Sequence, residues 1–289
     1  MTAVSRVRND AALVLEGGGM RAQYASGAMD FFLKAGLRFP YVIGVSAGIS
    51  NAASYVAGQY GRNREVFTRF AGDPRYFSWR NWPRKGNPFG MDFIYREIPA
   101  YVPFDFAAFQ ASPVRFRIGA TDCRTGRAVF FDKADAPMTE ALIASSSLPM
   151  VGRMARVNGR LYLDGGISDP IPFGQAAADG YPRRVVVLTR NQGFRKHAPR
   201  AAMRAAIRLK YRHFPALAEA VLRQHETYNR EIGELEAEEA AGRLRVVRPS
   251  KPLAVGRYSQ DRAELERLYR NGYADAAACA DQLRDFLSP

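Results

Sequence analysis

Gly44-Val45-Ser46-Ala47-Gly48 follows directly on the apolar run Tyr41-Val42-Ile43, and this arrangement constrains the chain more than any other feature. It reads as a buried strand ending in a sharp turn into a helix, with a serine at the turn. Glycines two residues before and after the serine remove Cβ atoms that would clash in so tight a bend. The hydroxyl then projects from the C-terminal edge of a sheet, which makes Ser46 a candidate nucleophile. The small residues that follow, among them Gly48, Ser50, Ala52 and Ala53, suit a helix pressed close against that sheet.

Alone, G-x-S-x-G also arises by chance or for helix packing in a chain with 25 glycines in 289 residues. A second element adds weight: Ala12-Leu13-Val14-Leu15 reads as a buried strand running into Glu16-Gly17-Gly18-Gly19-Met20-Arg21 and then the helix-like stretch Gln23 to Lys34. Successive glycines before a helix expose N–H groups to an anion or to the oxyanion of a tetrahedral intermediate. Gly17-x-Gly19-x-x-Ala22 also satisfies a dinucleotide fingerprint, which needs an acidic residue about 20 positions further on to hold a ribose. No Asp or Glu lies between Asp30 and Glu65, which argues against that alternative.

The third element is Leu161-Tyr162-Leu163-Asp164-Gly165-Gly166, a strand end bearing a carboxylate, preceded by Val157-Asn158-Gly159-Arg160. Asn-Gly there signals a tight hairpin. The aspartate either caps its own turn or serves chemistry. The three histidines, His197, His213 and His225, fall beyond the last strand expected of the core, and His197 and His213 sit among arginines and lysines that suit a solvated face. A Ser-His-Asp arrangement recruiting one of them stays open. The simplest base for Ser46 is Asp164 itself.

Taken together, these residues resemble the patatin-like phospholipases, and most closely a bacterial subfamily. Its strings E-G-G-G-M-R, I-G-V-S-A-G, A-S-S-S-L-P and Y-L-D-G-G-I-S-D-P-I-P occur here in order, at Glu16 to Arg21, Ile43 to Gly48, Ala144 to Pro149 and Tyr162 to Pro172. The resemblance implies a serine lipid acyl hydrolase, whether phospholipase, lysophospholipase or esterase, that works through an acyl-enzyme without metal or cofactor. It implies Ser46 as nucleophile, Asp164 as base, the N–H groups of Gly17, Gly18, Gly19 and Met20 as oxyanion hole, and Arg21 as a substrate- or anion-binding residue. Ala22 stands where the family loop usually has glycine, a change that a helix start accommodates. A lone aspartate is a weak base, and the apolar Leu161, Tyr162 and Leu163 beside it predict desolvation that raises its proton affinity.

The coarse pattern predicts strands near Ala12 to Leu15, Tyr41 to Val45, Val114 to Thr121, Ala128 to Phe131, Leu161 to Leu163 and Arg184 to Thr189, with helical patterns between most of them. Val185-Val186-Val187-Leu188 is an apolar run expected of a strand covered on both faces. The fold class expected is α/β, a three-layer α/β/α sandwich with a mainly parallel central sheet. A catalytic domain over 10–190 would carry a mainly helical C-terminal extension over 191–289.

Composition bounds the partners. The charge is +14, and Arg183 to Arg212 carries ten Lys or Arg and no acidic residue. Arg200, Arg204, Arg208 and Arg212 recur every four residues, opposite Met203, Ile207 and Phe214, which predicts an amphipathic basic helix over 198–214 that would either lie on an anionic membrane or form a solvated face. No nucleic-acid-binding motif accompanies the charge, so no specific nucleic-acid partner is expected. Trp79 and Trp82, in the loop Tyr76 to Phe89, suit a lid or interfacial anchor, or alternatively a cover for the core edge. Met1 to Asp10 holds no apolar core of a secretory signal, no apolar run reaches the about 18 residues of a spanning helix, and Cys123 and Cys279 form no disulfide framework. These features predict a cytoplasmic protein, peripheral to the inner face of the membrane. A lipid or ester is the expected substrate. A catalytically silent lipid-binding module with the same fold is the main alternative.

Overall fold

The computed structural model describes residues 7–288, so the part of the N-terminal expectation that concerns residues 1–6 lies outside the described residues. Eight strands form one sheet: β1 (Ala11–Leu15), β2 (Tyr41–Val45), β3 (Arg115–Asp122), β4 (Ala128–Phe131), β5 (Ala155–Val157), β6 (Arg160–Asp164), β7 (Arg183–Val187) and β8 (Leu244–Val247). β3, β2, β1, β7 and β8 pair in parallel in that order, and β4, β5 and β6 add an antiparallel end around β3.

The parallel core follows from the apolar runs. Alternate residues of β1 and β7 enter separate cores: Leu13, Leu15, Val185 and Val187 on one face, Ala12, Val14, Val186 and Leu188 on the other. Helices Gln23–Lys34 and Ser46–Val56 pack on the first face, while Phe173–Ala178 and the long helix Pro215–Ala240 cover the second. The result is the expected α/β/α sandwich with a mostly parallel sheet and a C-terminal helical region. The hairpin joining β5 to β6 turns at Asn158 and Gly159, both at positive φ (46° and 79°), as Asn-Gly demands.

The C-terminal region enters the fold more deeply than an outer layer of helices would. β8 extends the sheet beside β7, so the histidines do not lie beyond the last strand. Helix Arg262–Ala278 crosses helix Gln23–Lys34 where Gly27 and Gly272 let the backbones touch; a Cβ on either would strike a carbonyl of the other helix. Tyr269 Oη donates to Asp30 at 2.7 Å and Tyr24 Oη to Asp275 at 2.9 Å, fixing the crossing.

The basic helix spans Ala201–Lys210 and buries only Ile207; Met203, expected on its apolar side, is exposed. Trp79 and Trp82 are also half-exposed, and Trp79 packs edge-on against Phe77 and Tyr258. Cys123 is a free buried thiol among Leu163, Ile167 and Tyr211.

Candidate active site

Strand registers bring the two distant motifs together. β2 ends with Val45 opposite Gly119 of β3, and β6, running the other way, ends with Asp164 opposite Ala120. Two strands heading toward each other thus finish over adjacent residues of one neighbour. Ser46 and Asp164 meet there, and the Ser46 hydroxyl donates to Asp164 Oδ2 at 2.7 Å. Both side chains are buried.

Ser46 opens the helix Ser46–Val56 with φ 55°, a left-handed conformation that costs a non-glycine residue about 1–3 kcal/mol. The strain sits on the serine, whereas Gly44 and Gly48 permit close approach: a Cβ on Gly44 would lie 2.7 Å from the Leu15 carbonyl oxygen, and one on Gly48 would strike that of Glu16. The motif glycines therefore let the elbow press on the end of β1.

Asp164 holds its carboxylate in place with a second bond, Oδ1 accepting from the Gly166 N–H at 2.8 Å. Its own N–H donates to the Ser147 carbonyl at 2.8 Å and its carbonyl accepts from Thr121 Oγ1 at 2.9 Å. Burial pushes the carboxyl above its ordinary pKa, while the bonds from Ser46 and Gly166 and the charges of Arg257 and Lys196 pull the other way. The desolvation expected from the flanking apolar residues is present.

The glycine loop lies beside this pair. A Cβ on Gly17 would stand 2.9 Å from Ser46 Cβ, so only glycine lets the loop approach the serine. Among the described residues, the N–H groups of Gly17, Gly18 and Gly19 donate to no protein acceptor. Met20 differs from the expectation, because its N–H donates to the Arg257 carbonyl at 3.1 Å and is not free for an oxyanion. Arg21 is buried, its Nε has no hydrogen-bond partner, and desolvation, with Arg190 and Arg257 nearby, lowers its pKa to about 10.

Ser46 stands where two cavities meet. One is apolar, lined by residues such as Val66, Phe67, Phe89, Ile94, Ile98 and Leu142. The other is a polar chamber bounded by the glycine loop, Asp164, Arg21, Arg190, Lys196 and Arg257. None of the three histidines lines either cavity, so no histidine stands at Ser46. Among the described residues no cluster of metal-ligating side chains occurs.

Sequence reasoning placed Ser145 only in a loop bearing on acyl preference, within the quoted string Ala144 to Pro149, and not at the nucleophile. Its hydroxyl accepts from the Ser46 N–H at 2.8 Å and donates to the Gly119 carbonyl at 2.6 Å. Ser146 beside it bonds Tyr95 Oη at 2.8 Å, and the Ser147 carbonyl holds Asp164. Arg190, Lys196 and Arg257 were also missed, since in a chain with 42 Lys and Arg nothing local separates a lining cation from a solvated one.

Comparison with known proteins identifies the family. The family model for patatin-like phospholipases matches residues 13–177, and a model described as a domain of unknown function (DUF6363) matches residues 214–288. The uncharacterised protein YjjU of Escherichia coli is 30% identical over 250 residues, covering 84% of this chain and 69% of its own length. An uncharacterised NTE family protein of Mycobacterium tuberculosis is 37% identical over 70 residues, 24% of this chain and 19% of that protein. VipD from Legionella pneumophila superposes with a TM-score of 0.45 at 9% identity over 94% of this chain and 66% of its own. By its matched family model and its Escherichia coli relative, the chain belongs to the patatin-like phospholipase family.

Proposed function

We propose that the chain is a serine acyl hydrolase acting on lipid esters, with a catalytic unit over 10–190 completed by the C-terminal region. The observation that carries this reading is the 2.7 Å hydrogen bond from the Ser46 hydroxyl to Asp164, at the junction of an apolar and a polar cavity. In the proposed reaction the ester's acyl chain lies in the apolar cavity and its carbonyl faces the glycine loop. Asp164 takes the Ser46 proton as the oxygen attacks, and passes it to the leaving alcohol. An Asp164-activated water then releases the acid. The free N–H groups of Gly17, Gly18 and Gly19 face the developing oxyanion, each such donor being worth about 3 kcal/mol at the transition state.

Peripheral contact with an anionic membrane belongs to the same proposal. Trp79, Trp82 and Phe106 are half-exposed, and Phe106 borders the apolar cavity. Such side chains favour the headgroup region, and the basic helix Ala201–Lys210 favours negative lipid. Among the described residues no helix is long and apolar enough to cross a membrane.

Treatment with a fluorophosphonate tests the chemistry. The expected result is a covalent adduct on the Ser46 peptide that Ser46→Ala abolishes. A folded wild-type protein that stays unlabelled and turns over no ester would instead favour a lipid-binding module.

A further inference from the structure

The polar chamber beside Ser46 holds cations that form no ion pair with its own carboxylates. Arg21, Arg190, Lys196 and Arg257 line it together with Glu16 and Asp164. Asp164 is occupied by Ser46 and Gly166, and Glu16 accepts from the N–H and hydroxyl of Thr189 at 2.5 and 3.0 Å. Among the described residues none of the four cations has an ion-pair partner. Neighbouring arginines do: Arg184 pairs with Glu238 at 2.5 Å and Arg195 with Glu236 at 2.7 Å. Among the described residues Arg200, Arg204, Arg208, Lys210 and Arg212 also lack ion pairs, but they face solvent, whereas the four unpaired cations of the chamber converge on one cavity.

Three of these cations are held rather than loose. Arg190 lies 4.2 Å over the Phe194 ring and Lys196 lies 4.1 Å over Tyr228, while Asn229 bonds the Lys196 backbone on both sides. Arg21 is buried with Nε unpartnered. Burial lowers Lys196 to about 8, with Arg257 and Arg21 adding to the fall and Glu16 and Asp164 opposing it. Arg21 is buried and Arg190, Lys196 and Arg257 are partly so; cations withdrawn from water without a counter-charge are costly, and a bound oxyanion would reduce that cost.

If the acyl chain fills the apolar cavity, the chamber lies on the alcohol side of the scissile ester. The geometry points to a chamber that recognises a phosphate ester of net negative charge there, the headgroup of an anionic lipid. This inference rests on the hydrolase reading and goes beyond it by choosing among headgroups. A zwitterionic headgroup offers the same phosphate but would bring its ammonium among four cations, which selects against it.

The test uses the full chain and short-chain lipids kept monomeric, so that surface attraction plays no part. Turnover of dihexanoyl phosphatidylglycerol, dihexanoyl phosphatidylcholine and p-nitrophenyl hexanoate is compared. Phosphatidylglycerol is expected to exceed phosphatidylcholine in kcat/KM by about tenfold or more, the effect of one charge-assisted hydrogen bond. Arg190→Gln and Lys196→Gln, made separately, should each collapse that ratio mainly through KM, and Arg190→Lys should restore part of it. Equal rates on the two phospholipids, or a ratio unmoved in both variants, would overturn the inference while leaving the hydrolase intact. Calorimetric binding of the two phospholipids to Ser46→Ala decides the headgroup question even if no ester is turned over, an outcome that would sink the hydrolase reading alone. Inorganic phosphate competing as well as dihexanoyl phosphatidylglycerol would assign the chamber to a free anion and overturn the lipid assignment.

Discussion

Ser145 holds Ser46 by its main chain. One hydroxyl accepts the Ser46 N–H and donates to Gly119, tying the strained elbow to the strand that also registers Asp164. Ser145→Ala leaves both buried groups unsatisfied. It should destabilise the protein by about 1–3 kcal/mol in urea denaturation. It should also lower kcat, since Ser46 keeps its φ of 55° only while its surroundings enforce it.

Asp164→Asn keeps the shape of the site and removes the proposed base. Turnover of a soluble ester should fall by about 10²–10⁴-fold, the usual worth of a positioned base, with KM little changed. A residual rate within a factor of a few of wild type would show that another group accepts the proton.

The pH profile has a definite sign. In the proposed mechanism the charged form of Asp164 is the base, and burial raises its pKa above the usual carboxylate value. The kcat/KM for a neutral ester should therefore rise with pH through an apparent pKa above about 4 and then level off. Asp164→Asn should lose this limb altogether. A limb at the ordinary carboxylate value would contradict the desolvated site.

Gly19 has φ 58°, and a Cβ there would meet the Cγ and carbonyl oxygen of Arg257, both at 2.7 Å. Gly19→Ala must therefore push the loop away from Arg257 or twist its N–H off the oxyanion position of the proposed mechanism. We expect fluorophosphonate labelling to slow by about a hundredfold while circular dichroism stays native.

Glu231 is buried, accepts from the Ile171 N–H at 3.0 Å and couples with Asp169. Burial raises both carboxyls, and the charge of Asp169 raises Glu231 further; Arg230 opposes the rise at both, and the Ile171 N–H and Lys196 oppose it at Glu231. The native pair keeps protons that the unfolded chain has released, so stability falls as pH rises above the ordinary carboxylate range until both ionise. Glu231→Gln should raise Tm more at about pH 9 than at about pH 6, as read by calorimetry. An equal gain at both values would remove the titration from the explanation.

Local chemistry made much of this protein legible. The apolar runs of β1, β2 and β7 announced strands covered on both faces, Asn158-Gly159 announced its hairpin, and small residues around Ser46 announced an elbow pressed on a sheet. Each is a property of a few neighbouring residues and of the backbone conformations they allow. Other features needed the whole chain. β8 is four residues whose strand character is completed by pairing with β7, and the Met20 N–H is claimed by a carbonyl far along the sequence. The cations of the chamber come from three separate segments, and only folding separates them from the many that face solvent. Sequence thus determined which backbone turns could present a serine and a carboxylate, because steric rules act over a few residues. Tertiary structure decided that they meet, and what charge surrounds them, because register and burial are set by partners far away in the chain.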